Sequence, residues 1–287
     1  MKVWSKAITF SAKGKTQDTY DELGTVTLKI GAKEVLGFLA AIVPGAVTDG
    51  ENGTPVLQVD STDLGISKQR FIHGPALTDG IATNDKEAPI FYEFIPYRVP
   101  AGKSLDNAKI TFSLSGTVTT TGGWSGAISV VFADAVPDQQ YINELMALIP
   151  PRATGGAVAF QRAGISAASL TSFTNGIEVT SDAQELIGLL GFVNPNAPTA
   201  GEECVGYTEF QASQVEDFAP QEWPFVINWT PSLGTPVGTP VAASRPAGLY
   251  FPTRFPLPKV NFTMNVAQKL AASLSNAGDG IAAVKWR

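Results

Sequence analysis

The sequence predicts an all-β protein built as two tandem, similar barrel-like units, each carrying a short helix and joined by a helical linker. Three observations predict it. Segments of the first half return, in order, in the second. Several runs alternate apolar and polar residues with period two. Glycine (28) and proline (20) are frequent enough in 287 residues to turn the chain often.

The repetition is the strongest of the three. AKEVLGFLAAIVP (32–44) and AQELIGLLGFVNP (183–195) agree at five of thirteen positions, 151 residues apart. Upstream, GTVTLKI (24–30) meets NGIEVTS (175–181), pairing Val26 with Ile177 and Leu28 with Val179. Earlier still, AITFSAKG (7–14) meets VAFQRAG (158–164), pairing Phe10 with Phe160. Downstream, FIPYRVP (94–100) meets YFPTRFP (250–256) with the same P-x-R-x-P spacing. KITFSL (109–114) then meets KVNFTM (259–264), and SGAISVVF (125–132) meets DGIAAVKW (279–286). Offsets stay between 150 and 156. A unit of about 135–150 residues is domain-sized and far longer than a solenoid repeat. The expected organisation is a first unit over 1–136, a linker over 137–151 and a second unit over 152–287.

Within a unit, KAITFSA sets Ala7, Thr9 and Ser11 opposite Ile8 and Phe10, the alternation of a half-buried strand. TVTLKI puts Val26, Leu28 and Ile30 on one face. PVLQVDS and APIFYEFIPYRV read as extended, the latter punctuated by Pro89, Pro96 and Pro100. KITFSLSGTVT and GAISVVFA complete about seven strands per unit.

AKEVLGFLAAIVP differs, because Val35, Phe38, Leu39 and Ile42 recur at helical spacing, as do Leu186, Leu189, Leu190 and Val193. Ser181 with Gln184 three residues later forms a capping-box pattern. Gly37 and Gly188 each weaken a helix by about 1 kcal/mol relative to alanine. Helices are therefore expected over 32–42 and 182–192. The apolar run Val35–Val47 has 13 residues, where a membrane-spanning helix needs about 20. It also starts too far from the N-terminus for a signal core.

DAVPDQQYINELMALIPP (134–151) places Tyr141, Leu145 and Leu148 on one helical face before Pro150–Pro151, and is the expected linker. The Pro/Gly/Thr-rich stretches 46–55 and 230–248 read as surface loops.

Charged residues make up 16% of the chain, against about 25% in a typical soluble domain. A surface so poor in charge suits one largely covered by other subunits. The net charge is −6, and no Lys/Arg run could track a phosphate backbone, so specific nucleic-acid binding is not expected. Cys204 is the only cysteine, which leaves no intrachain disulfide and no cysteine-cluster metal site.

Catalytic chemistry finds little footing. His73 in RFIHGP is the only histidine, so a Ser-His-Asp triad would have to use it, and no G-x-S-x-G elbow accompanies it. Its expected role is structural, in a loop or at a strand end. Asp60 and Asp63, Glu202–Glu203 and Glu216–Asp217 are acidic clusters without a metal-loop pattern, expected as solvated surface, with cation binding or a carboxylate pair as the other reading. No Walker or Rossmann glycine loop occurs. In FAPQEWPFVINW (218–229), Trp223, Phe225 and Trp229 alternate as a core strand does, and a sugar-stacking platform is the other reading. The sequons at Asn52, Asn228 and Asn261 arise easily by chance. No enzyme activity, catalytic residue, cofactor or metal is expected.

Two similar β-rich units, the AKEVLGFLAAIVP/AQELIGLLGFVNP and IPYRVP/FPTRFP pairs, low charge and no catalytic constellation give a chain that resembles the double jelly-roll major capsid proteins of tailless icosahedral viruses. The resemblance is architectural and spans nearly the whole chain. It implies two eight-stranded jelly rolls, homotrimers of pseudo-hexagonal outline and a shell that often encloses a membrane. It implies minor capsid or penton partners, and a virion protein assembled in the host cytoplasm. A phage tail-tube or baseplate subunit, and a carbohydrate-binding or adhesive β-sandwich protein, are the alternatives.

Overall fold

The computed structural model describes residues 1–44, 54–72, 92–97, 105–117, 119, 122–147, 155–162, 165, 169–194, 205–226, 251–272 and 279–287. Within them the chain is all-β, with one short helix. The first half contributes β1 (Val3–Lys13), β2 (Asp21–Thr27), β3 (Glu34–Pro44), β4 (Pro55–Ser61), β5 (Ile66–Ile72), β6 (Tyr92–Pro96), β7 (Lys109–Gly116) and β8 (Trp124–Ala133). Helix α1 (Gln139–Ala147) follows. The second half contributes β9 (Gly155–Arg162), β10 (Thr171–Ser172), β11 (Ile177–Val179), β12 (Glu185–Asn194), β13 (Val205–Gln211), β14 (Gln221–Val226), β15 (Phe251–Pro256), β16 (Phe262–Leu270) and β17 (Asp279–Trp286).

The strands form four antiparallel sheets. In the first half the orders are β1-β8-β3-β6 and β2-β7-β4-β5. In the second they are β9-β17-β12-β15 and β10-β16-β13-β14, with β11 also on β16. Taking β10 and β11 as one interrupted strand, the two orders correspond element by element. The registers agree as well. Gly37 faces Pro96 and Val131 across its neighbours, and Gly188 faces Pro252 and Lys285.

Each pair of sheets closes on an aromatic and aliphatic core. Phe38 of β3 packs edge-on to Phe112 of β7 with centroids 5.5 Å apart, and against Phe71 and Tyr97. In the second half Trp223 of β14 stacks on Phe251 of β15 at 5.4 Å. Burying side chains of this size contributes about 1.5–3 kcal/mol each, which is why the alternating runs fold inward. β4 shows the pattern plainly, with Leu57 and Val59 inside and Val56, Gln58 and Asp60 half-buried outside.

The helices expected over 32–42 and 182–192 are strands, β3 and β12. Phe38, Ala40 and Ile42 of β3 point into the first core, while Leu39 and Ala41 are equally buried on the opposite face. A strand covered on both faces reads as a continuous apolar run, and periodicity alone cannot separate it from a helix. The glycines carry the distinguishing signal, since each strand is bulged there, between Val35 and Gly37 and between Leu186 and Gly188. A Cβ on Gly37 would collide with the Ile95 carbonyl oxygen and the Phe94 ring. The Ser181–Gln184 pattern caps no helix: Ser181 N–H donates to Asn261 Oδ1 (2.8 Å) and Gln184 N–H to the Arg287 carbonyl (2.7 Å), shaping the turn into β12.

Other expectations shift in detail. Strand β5 is missing from the sequence reading because Ser67, Lys68, Gln69 and Arg70 are consecutive exposed polar residues on an edge strand. Ile30, expected beside Val26 and Leu28 inside, is 65% exposed, because β2 ends at Thr27. Phe10 opposes Gly126, but Phe160 opposes Ile281, next to Gly280, so the match of Phe10 with Phe160 is one residue out of register. A slip of one residue reverses the face. Likewise Ile110 is fully buried while its sequence match Val260 is 53% exposed.

Helix α1 lies inside the expected 137–151 segment. Asp138 caps it, its Oδ1 accepting the Tyr141 N–H at 2.7 Å. Tyr141 and Leu145 are buried as expected. Leu148, Pro150 and Pro151 lie outside the described residues, as do His73, Cys204, Glu202, Glu203, Trp229, Asn52, Asn228 and positions 46–53 and 230–248.

Candidate functional site

The most elaborate polar arrangement in the described residues is the seam between the two halves. The outer face of β1-β8-β3 meets the outer face of β13 and β14. Leu39, Ala41, Ala127, Ser129 and Val131 line the first surface and are fully buried. Small residues let the two sheets approach closely; Ala41 packs with Val205, flanked by Val43 and Ala271. All ten residues of β8 are buried, because that strand has a core on one side and the seam on the other.

Strand β1 is the edge of its sheet, pairing only with β8 among the described strands. Its free backbone groups are capped by side chains of the second half. Ser5 N–H donates to Gln221 Oε1 at 3.0 Å and Ala7 N–H to Glu222 Oε2 at 2.7 Å. Ser5 Oγ donates to the Glu222 carbonyl at 2.5 Å, and Thr253 Oγ1 to the Val3 carbonyl at 3.4 Å. An open edge invites strand addition; this one is closed.

Glu222 lies at the centre. It is ion-paired with Lys6 and stands directly opposite Glu209 across the β13–β14 ladder. Glu209 is also buried and accepts a hydrogen bond from Gln211 Nε2 at 2.5 Å. Burial pushes the Glu222 carboxyl up; Lys6 and the Ala7 N–H pull it back, and the Glu209 charge adds to the upward push. Tyr207, on the same face, has its hydroxyl pushed up by burial and then by both carboxylates.

Two further contacts hold the halves together. Around Asp217, at φ 61°, Lys2 Nζ donates to Oδ2 (2.8 Å), while Lys29 Nζ (2.6 Å) and Trp4 Nε1 (3.2 Å) donate to its carbonyl. The Lys2 hydrogen bond holds the Asp217 carboxyl below its ordinary range. Phe255 of β15 packs against Trp4 and Phe218. Helix α1 is seated on β15: Tyr141 donates its hydroxyl proton to the Pro252 carbonyl (2.9 Å), and Arg254 pairs with Glu144 beneath the Tyr141 ring.

Of the residues flagged in the sequence, Asp217 joins this seam and Glu216 is exposed beside it. Asp63 Oδ2 accepts the Lys109 N–H at 2.9 Å, shaping a turn, and Asp60 is half-buried on β4. Trp223 and Phe225 are buried in the second core, so they present no stacking platform. Asn261 Oδ1 holds the Ser181 turn. Among the described residues no three His, Cys, Asp or Glu side chains gather where a metal could be held, and no helix is long and apolar enough to cross a membrane. The sequence reading missed Lys6, Glu209, Gln221 and Glu222. Their signal was a glutamate set among apolar neighbours in both GYTEFQ and QEWPF.

No family model matches the chain, and no curated protein matches it in sequence. Among solved structures, the T=1 Penaeus vannamei nodavirus is similar over 100% of this chain and 99% of that one, at 9% identity and a TM-score of 0.22. The Macrobrachium rosenbergii nodavirus is similar over 98% and 88%, at 8% identity and a TM-score of 0.20. A tandem CBM22 domain from Paenibacillus barcinonensis Xyn10C is similar over 100% and 92%, at 9% identity and a TM-score of 0.18. Likeness at this level assigns neither family nor function. What the fold and seam define is an all-β protein of two paired-sheet halves locked by buried polar contacts.

Proposed function

We propose that the chain is the major capsid protein of an icosahedral virus, built of two tandem jelly rolls over 1–136 and 152–287 with the helical segment 137–151 between them. The observation that carries this is strand order. Eight strands in two facing sheets are the jelly-roll architecture of viral capsid and lectin domains, and β1-β8-β3-β6 over β2-β7-β4-β5 recurs in the second half.

Three features favour a shell subunit over the alternatives. Trp223 and Phe225, which could have stacked on sugars, are core. The carboxylates brought together, Glu209 and Glu222, are shut between two sheets and serve the seam, in keeping with a protein that is not an enzyme. The seam joins unlike faces of two like units, the arrangement that propagates into rings. Six units from three chains close a ring of pseudo-hexagonal outline. In this reading the protein is a homotrimer of the virion, assembled in the host cytoplasm. Its partners are its own copies, minor capsid or penton proteins and an enclosed membrane. It uses no cofactor or metal and binds no specific nucleic acid.

Native mass spectrometry and negative-stain microscopy of the purified protein test this. Trimers and closed or hexagonally tiled assemblies are expected. A stable monomer at micromolar concentration and near-neutral pH, across a range of salt, overturns the reading. Hollow tubes indicate a tail subunit, and specific retention on a glycan array a lectin.

A further inference from the structure

We propose that the contact of β14 with β1 is a proton-operated latch between the two halves: while Glu209 and Glu222 hold a proton between them the β1 edge stays closed, and when that proton leaves the edge opens with both cores still folded. The latch belongs to the folded chain itself, so it stands or falls separately from the assembly proposed above.

Two side chains of β14 do the closing. Gln221 Oε1 takes the Ser5 N–H and Glu222 Oε2 takes the Ala7 N–H, while β14 keeps its own ladder with β13, from Val205–Val226 to Phe210–Gln221. Strand β1 likewise keeps its ladder with β8. The edge can therefore open by withdrawal of two caps, with neither sheet broken. Local openings of this kind cost less than global unfolding.

Charge decides when the caps hold. Glu222 and Glu209 stand directly opposite, a position at which like charges repel. Among the described residues Lys6 of β1 is the one cation bonded to either of them, and its side chain is 44% exposed where that of Glu222 is 4% exposed. One half-hydrated cation does not balance two buried carboxylates. Tyr207, beside Glu209 on β13, keeps its phenol proton, because burial and both carboxylates push it up. Lys269 of β16 stands opposite Tyr207 and pairs with neither glutamate. Strand β8 carries no charged residue. On β3, Glu34 sits at the strand's start in the row of Val3, and on β12, Glu185 pairs with Arg287. Lys13, the other cation of β1 besides Lys6, lies at the far end opposite Trp124.

Opening puts both carboxyls in water. In the closed seam, burial pushes the Glu222 carboxyl above its ordinary value of 4.5. The closed form therefore binds more protons than the open one. Closure weakens as pH rises from the ordinary value through the raised one, by up to about tenfold per pH unit. Acid below the ordinary value leaves both forms protonated and changes nothing further. An opened β1 offers its N–H groups to another strand, so mild acid guards this edge and alkali frees it.

Hydrogen exchange of the wild-type chain, resolved to the Ser5 and Ala7 amides and corrected for the intrinsic effect of pH, tests this. Their protection is expected to fall about tenfold or more between about pH 5 and about pH 8, while the β7 amides from Ile110 to Leu114 keep theirs. Glu222→Gln keeps an oxygen for the Ala7 N–H and cannot ionise, so its edge is expected to stay protected at both pH values. Protection that is the same at both pH values in the wild type, that falls in step with β7, or that is lost in acid instead overturns the latch. So does a Glu222→Gln chain whose protection falls as the wild type's does. Should Glu222→Gln not fold, Glu209→Gln decides: a shallower fall than the wild type's supports the latch, and an equal fall overturns it.

Discussion

Glu209 and Glu222 face each other directly across β13 and β14, buried, with Lys6 of the other half as the cation bonded to Glu222. Like charges opposed on a ladder repel, and burial raises the cost. The seam therefore holds a carboxyl that favours its proton. A raised folded-state pKa gives stability that is present below the ordinary carboxylate value and lost as pH rises through the raised one. Thermal stability is expected to be higher in mild acid than at neutral pH as far as this group is concerned. Burial is the main source of the push and the Glu209 charge a smaller one, so Glu209→Gln is expected to add about 0.5 kcal/mol near neutral pH and to lessen the slope of the profile only in part. Melting scans of both proteins across pH check it; an unchanged profile counts against repulsion.

Gln221 leaves the Ser5 N–H without a partner if truncated. Gln221→Ala is expected to cost about 1–3 kcal/mol, the desolvation penalty of a buried unpaired donor. Urea unfolding measures it.

Arg254 and Glu144 form a largely buried ion pair that seats α1 on β15. Removing one partner strands the other, so Arg254→Ala is expected to destabilise by about 3 kcal/mol. Glu144→Gln, which keeps a hydrogen-bond acceptor, is expected to cost less. Chemical denaturation of the two variants side by side checks the order.

Phe38 packs against Phe71, Tyr97 and Phe112 in the first core. Phe38→Ala is expected to cost about 3–5 kcal/mol. Gly37→Ala is expected to be destabilising too despite its small size, because the added methyl meets the β6 backbone. Differential scanning calorimetry compares them.

The all-β class, the strands β1, β4, β7 and β8, helix α1 and the recurrence of segments at a near-constant offset are legible in the residues alone. These rest on local alternation, helical spacing and composition, which need no partner to be read. That AKEVLGFLAAIVP is a strand follows from packing between distant parts of the chain. Burial on its second face comes from the seam, and no local pattern records what a distant sheet will cover. Packing also sets the partners of Lys6, Ser5 and Ala7, which lie more than 200 residues away in the chain. Such contacts depend on register and on which face meets which. A one-residue slip such as that between Phe10 and Phe160 is invisible in composition and reverses every side chain of a strand.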